Sequence, residues 1–400
     1  MERLSKILEN RHDYAREWKK RTGGKVVGYF EPYFPEELAY AFGVLPVRIM
    51  ARHEADDITD RQMYGNCYPS RDMLNQFVLG RYDYIDGIVY TEGCQWMFNT
   101  FQTIVNNNPG MFNHYLFVPD FPEGNKSKDV LRTELSVFSN VLATLTGRTI
   151  TNEDIDKAIE ICNTNRRLLR RIYELRRADR LVVSGSESMD ALLASQVMDK
   201  VDANALLEDI LVKLEEREPY PDGIRLMLIG SETWDASVEK LVESIGAHIV
   251  IDELDNGSSY IWNEVIPQKD RLMAISLRYL GRPHCALKDS AWRRRLDHIF
   301  RLYEDFQAEG VIIAKQIYCH PHGTAMYAIS KMLRERNIPY HVFERDTTLP
   351  EQETRMRMES FISMVKPGIT RLAGWNKITQ FNGHECPAMK TSCGGRCNEC

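Results

Sequence analysis

No apolar run in the 400-residue chain reaches the roughly 18 residues that a membrane-spanning helix requires. The best candidate, Val311 to Cys319, is interrupted by Lys315. Met1 to Tyr14 mixes Glu, Arg, Lys and Asp with single apolar residues and has no apolar h-region of the secretory type. These absences predict a cytoplasmic protein that does not enter a membrane. A charge excess is missing too: 51 basic and 57 acidic side chains leave a net −6, which sets up no global field for nucleic acid or anionic lipid. No G-x-G-x-x-G follows a strand and G-x-S-x-G is absent, so dinucleotide-dependent hydride transfer and serine hydrolysis lose support. Gly124 to Ser127 carries only the tail of a P-loop, with Asp120 and Asn125 where glycines are needed, so any ATP hydrolysis belongs to a partner.

What is present is an ordinary globular composition, 43% hydrophobic and 27% charged, long enough for two or three domains. Short β-rich runs alternate with amphipathic stretches in a βαβ rhythm: strands at Lys25–Phe30, Val44–Ile49, Tyr84–Tyr90 and Tyr115–Val118, with helices at Pro35–Phe42 and Arg71–Leu79. From Lys128 to Glu218 apolar residues recur at helical spacing, as in Leu131, Leu135, Phe138 and Leu142. Strand signals return at Arg225–Ile229, Ala247–Ile251, Val311–Tyr318 and Tyr340–Phe343. The expected fold class is α/β, with two parallel-sheet domains facing a cleft. Their bounds are 1–126 and 221–366, with a helical segment 127–220 between them and a Cys-rich tail 367–400. Parallel strands joined by helices put functional loops at the strands' carboxyl ends.

Nine cysteines in a chain without secretory features read as metal ligands or buried thiols rather than as a disulfide framework. Cys94 and Cys319 each follow a strand, in Glu92-Gly93-Cys94-Gln95-Trp96 and Tyr318-Cys319-His320-Pro321-His322. Cys67 precedes a helix whose dipole favours a thiolate. The spacings match neither a ferredoxin run nor a zinc ribbon, so on spacing alone three ligands and three buried thiols stay equally open.

Gly28-Tyr29-Phe30-Glu31-Pro32-Tyr33-Phe34-Pro35-Glu36-Glu37-Leu38 followed by Ala41-Phe42-Gly43-Val44-Leu45-Pro46-Val47-Arg48 resembles the opening of the 2-hydroxyacyl-CoA dehydratase and benzoyl-CoA reductase family. Glu344-Arg345-Asp346 through Glu351 to Arg357 resembles its closing strand and helix, and the landmarks run in order over residues 20–365. The resemblance implies that Cys67, Cys94 and Cys319 hold a [4Fe-4S] cluster between two α/β domains, with one iron open. It implies a CoA-thioester substrate, a homologous second catalytic subunit, an ATP-hydrolysing iron-sulfur activator and a ferredoxin as upstream donor. Among reactions, an ATP-dependent aryl-CoA reductase of the benzoyl-CoA type leads, and a (R)-2-hydroxyacyl-CoA dehydratase comes second. A double-cubane-cluster reductase or an iron-sulfur electron carrier is the remaining alternative. Tyr64, Tyr68, Trp96 and Phe98, around the first two cysteines, suit either a flat aryl group or a core.

His320, His322, Glu92 and Gln95 adjoin the cysteines at the strand ends and are the candidate proton-handling residues. Cys162 reads as helix core and Cys285 as a structural thiol. Cys386, Cys393, Cys397 and Cys400 place four thiols within fifteen residues, suiting zinc or a second iron-sulfur cluster. Seven arginines between Arg166 and Arg180, interleaved with Leu168, Leu169, Ile172 and Leu175, read as a helix with a solvated basic face that could also meet an acidic partner or the phosphates of coenzyme A.

Overall fold

Among the described residues, runs of Val, Ile, Leu and Tyr bounded by turn residues fold into eight strands, and the intervening helical connections force parallel pairing throughout. The computed structural model describes residues 1–52, 63, 66–124, 126–177, 180–283, 285, 286, 288, 293–346 and 351–365. The first sheet contains β1 (Lys25–Tyr29), β2 (Val44–Arg48), β3 (Gly87–Thr91) and β4 (Phe112–Leu116) in the order β2-β1-β3-β4. The second contains β5 (Ile224–Gly230), β6 (Ala247–Glu253), β7 (Gly310–Gln316) and β8 (Tyr340–Arg345) in the order β6-β5-β7-β8. The two sheets therefore share one topology. In each, the strand order reverses between the first and third strands, and such a switch point opens a crevice at the carboxyl ends.

The central strands β3 and β5 are buried along nearly their whole length, as parallel strands covered on both faces must be. β4 begins three residues earlier than its apolar residues suggest. It is an edge strand with Asn113 and Tyr115 exposed, so its outer half carries little hydrophobic signal. Gly87 is required where it stands, because a Cβ there would lie 2.5 Å from the Phe112 carbonyl oxygen of the neighbouring strand.

Helices Ser127–Thr146, Asn152–Glu174, Gly185–Ser195 and Lys200–Glu215 fill the segment between the sheets. Two of them start with reciprocal capping boxes, Thr151 with Asp154 and Ser184 with Glu187. The arginine stretch is not a uniformly solvated face: Arg166 and Arg176 are buried. Arg166 Nη2 donates to Glu37 Oε1 at 2.5 Å and Nη1 to Asn163 Oδ1 at 3.0 Å. Glu37 Oε2 also accepts from the Tyr279 hydroxyl at 3.1 Å. The neighbouring Glu36 is bound at 3.0 Å by Lys200 Nζ and at 2.6 Å by the Tyr260 hydroxyl. The Pro35-Glu36-Glu37 sequence is thus a buried keystone that ties the first sheet to the helical segment and to the helix Arg271–Leu280. Among the described residues, no helix is long and apolar enough to cross a membrane.

Candidate active site

The carboxyl ends of both sheets open on one cleft with an empty volume of about 700 Å³, part of it open to solvent. Matching positions of the two sheets supply its wall. Glu31 and Glu232 each lie two residues beyond the first strand of their sheet; Cys94 and Cys319 each lie three residues beyond the third. Cys67 completes a trio of thiols in the same cleft.

Each of the three is the N-cap of a helix, Tyr68–Val78, Gln95–Asn107 or His320–Glu335. Among the described residues none of the three sulfurs accepts a capping hydrogen bond, but nearby first-turn amides act to lower their pKa: those of Trp96 and Met97 at Cys94, that of His322 at Cys319 and that of Ser70 at Cys67. Such amides favour a thiolate, but burial works against it more strongly. Burial pushes all three thiols up, Cys319 to about 12, and the Cys67 charge adds to the rise at both Cys94 and Cys319. These repulsions place Cys67 within electrostatic reach of both Cys94 and Cys319. Among the described residues, no three His, Cys, Asp or Glu side chains are grouped to hold a single metal ion.

The carboxyls are sorted by their partners. Arg48 Nη2 donates to Glu232 Oε1 at 2.5 Å. Glu31 accepts from the Cys94 N–H at 3.3 Å, and burial together with the Glu232 charge pushes its carboxyl up to about 8. A side chain at Gly93 would strike this carboxyl, with its Cβ 2.6 Å from Glu31 Cδ, so the glycine before Cys94 makes room for it.

Of the four candidate proton-handling residues, the cleft is lined by His322. Burial, then the Arg295 charge, lowers its pKa, which keeps the ring neutral. In that form Nε2–H donates to Asp255 Oδ2 at 3.2 Å and Nδ1 faces Arg295 Nη2 at 3.5 Å, so both nitrogens are occupied and the ring holds Asp255 in place. His320 is exposed and packs on the Trp96 ring. Glu92 accepts from the Val118 N–H, and Gln95 donates to Asn99; neither lines the cleft. Across the mouth, Trp96 Nε1 donates to the Tyr318 carbonyl at 3.0 Å, joining the loops that carry Cys94 and Cys319.

The cleft also holds residues that the sequence did not single out for it: Glu31, Glu232, Asp255, Gln316 and Cys285. Cys285 Sγ accepts from the Tyr33 hydroxyl at 3.9 Å. The signal that could have found the two glutamates is the duplication, since both stand at the same offset from a first strand. Of the four aromatics near the first two cysteines, Trp96 lines the cleft, Tyr68 is buried, Phe98 packs on Tyr90, and Tyr64 lies outside the described residues. Cys386, Cys393, Cys397 and Cys400 lie outside them as well.

Comparison with known proteins gives a match to the family described as 2-hydroxyglutaryl-CoA dehydratase, D-component, over residues 32–365. One subunit of the benzoyl-CoA reductase of Thauera aromatica is 26% identical over 341 residues, 82% of this chain and 88% of that protein. The (R)-phenyllactyl-CoA dehydratase beta subunit of Clostridium sporogenes is 22% identical over 367 residues, 89% of this chain and 96% of that protein. The beta subunit of the (R)-2-hydroxyglutaryl-CoA dehydratase of Acidaminococcus fermentans is 22% identical over 331 residues, 80% of this chain and 87% of that protein. These relatives are enzyme subunits of two reaction types.

Proposed function

The chain belongs to the 2-hydroxyglutaryl-CoA dehydratase, D-component family, and on that premise we propose that it is a catalytic subunit of an ATP-dependent aryl-CoA reductase of the benzoyl-CoA type. The observation that carries this reading is the convergence of Cys67, Cys94 and Cys319, each an N-cap, on one cleft between two sheets of identical topology.

The donor set fits a [4Fe-4S] cluster. Three cysteine sulfurs that line one cleft are the kind of donor set that would hold such a cluster. When bound, such a cluster supplies single electrons at low potential. The chain's own residues do the rest. The thiols exchange their protons for metal, and the first-turn amides stabilise the thiolates so formed. Trp96, Trp234, Met97 and Pro69 give the cleft apolar walls that exclude water from a thioester. Glu31 holds a proton on its carboxyl at neutral pH, while Arg48 holds Glu232 in place beside it.

The indole rings of Trp96 and Trp234 favour a flat aryl group, and the relative with 26% identity belongs to a benzoyl-CoA reductase. A second reading, a (R)-2-hydroxyacyl-CoA dehydratase, is favoured by the family description and by the two dehydratase beta subunits. In either case the chain works beside a homologous subunit. Electrons come from an ATP-hydrolysing iron-sulfur activator fed by ferredoxin, in keeping with the incomplete P-loop at Gly124 to Ser127. Assaying the anaerobic complex with benzoyl-CoA and with (R)-phenyllactyl-CoA tests the proposal. ATP-dependent reduction of benzoyl-CoA is expected. Dehydration of the hydroxyacyl thioester alone selects the second reading, and inertness toward both defeats the two together.

A further inference from the structure

We infer that the side-chain amide of Gln316 donates a hydrogen bond to the carbonyl oxygen of the thioester taken up by the cleft, an inference that rests on the CoA-thioester reading above. Gln316 is the last residue of β7 and stands three residues before Cys319, at the switch point of the second sheet. It lines the main cleft and also a smaller cavity bounded by Gly230, Thr233 and Arg345. The residue is 9% exposed, and its Nε2 is buried without a hydrogen-bond partner. A buried donor left unpaired is costly, so its survival marks a place where an acceptor arrives.

Two other donors around the cleft, Lys288 and Trp96, are already engaged. Lys288 Nζ donates to the Val118 carbonyl at 2.8 Å and to Asp120 at 2.7 Å, and Trp96 Nε1 is held by the Tyr318 carbonyl. Glu31, Glu232 and Asp255 present carboxyls. The latter two are tied to Arg48 and His322. A thioester carbonyl brings an acceptor and no donor of its own, which matches the vacancy at Gln316 Nε2 and not the carboxylates of Glu232 and Asp255. A neutral amide fixed at a strand end inside apolar walls also strengthens its hydrogen bond as negative charge develops on the oxygen, without reorganising.

The test uses the anaerobic complex carrying Gln316→Met, nearly the same shape without a donor, with benzoyl-CoA and (R)-phenyllactyl-CoA as probes. For whichever thioester the wild type turns over, kcat/KM is expected to fall about 100- to 1000-fold, mostly in kcat, the range for losing one oxyanion donor. Iron content and the EPR spectrum without substrate are expected to stay as in the wild type. Unchanged kcat/KM would mean that water satisfies the amide and overturns the inference. A changed substrate-free EPR spectrum would assign Gln316 to the metal centre and overturns it too. Should the variant lose its iron, the infrared spectrum of carbonyl-labelled thioester on the wild type decides: a stretch below the value in apolar solvent is expected, and the apolar value itself is the refutation. Failure of the wild type to bind either thioester is a separate outcome, which removes the parent reading along with this one.

Discussion

Glu37→Ala removes the carboxylate on which three parts of the fold converge. Among the described residues Arg166 then keeps Asn163 as its side-chain hydrogen-bond partner, in a site where it is 1% exposed, and the Tyr279 hydroxyl loses its acceptor. Burial would raise the Glu37 pKa, but the guanidinium groups of Arg166 and Arg278 outweigh it and hold the carboxyl below its usual 4.5. Without Glu37 these two buried cations face each other uncompensated. Breaking a buried pair by deleting one member costs about 3–5 kcal/mol. At a urea slope near 3 kcal/mol per molar, the unfolding midpoint should drop by roughly 1–1.7 M, followed by tryptophan fluorescence of the full chain. Adding Arg166→Met should recover a good part of the loss, because the stranded charge goes with it. The pH dependence has a definite sign. A lowered carboxyl stabilises the fold above about pH 4.5 and loses that contribution as pH falls through its folded value, so Glu37→Ala should differ less from wild type in acid. A midpoint within about 0.3 M of wild type at neutral pH, about 0.9 kcal/mol at that slope and far below the roughly 3 kcal/mol expected, would refute the keystone argument.

Three further perturbations test charge, strain and metal. Glu239 is 1% exposed, neither of its carboxyl oxygens has a hydrogen-bond partner, and burial pushes it up to about 8. Its contribution to stability is full below about pH 4.5 and disappears as pH rises through 8. Glu239→Gln should therefore flatten a decline on the order of 5 kcal/mol over that window, and identical pH–stability curves would contradict this. Tyr318 holds φ at 64°, a conformation that costs a non-glycine residue roughly 1–2 kcal/mol. Tyr318→Gly should unfold at higher temperature than Tyr318→Val, and the reverse order would be inconsistent with strain at this turn. Truncation after Pro367 removes Cys386, Cys393, Cys397 and Cys400; metal analysis should show one centre fewer, and equal zinc and iron in both chains would end the metal-binding reading of the tail.

Sequence patterns were informative wherever the signal was local. β1, β2, β3 and all four strands of the second sheet are runs rich in Val, Ile, Leu and Tyr, and every one could be located from the chain alone. Cys94 and Cys319 could be placed at strand ends for the same reason, whereas β4 was displaced because an edge strand alternates polar residues toward solvent. What escaped was fixed by partners distant in the chain. Glu37 and Arg166 are separated by 129 positions, and Glu36 meets Tyr260 across 224, so nothing in the local sequence distinguishes Arg166 from a surface charge. His322 looked like a free proton donor because neither Asp255 nor Arg295 is near it in sequence. Gln316 carries no motif, and its importance comes only from the lack of a partner for a buried amide.

Cys67, Cys94 and Cys319 jointly holding one iron-sulfur cluster is the premise on which the proposed chemistry stands. Iron and acid-labile sulfide per chain, measured on anaerobically purified wild type and on Cys67→Ala, Cys94→Ala, Cys319→Ala and the buried control Cys162→Ala, test it most directly. Each of the first three should lose about four irons relative to wild type, since two thiolates seldom retain a cubane, while Cys162→Ala keeps them. Undiminished iron in Cys94→Ala would contradict it.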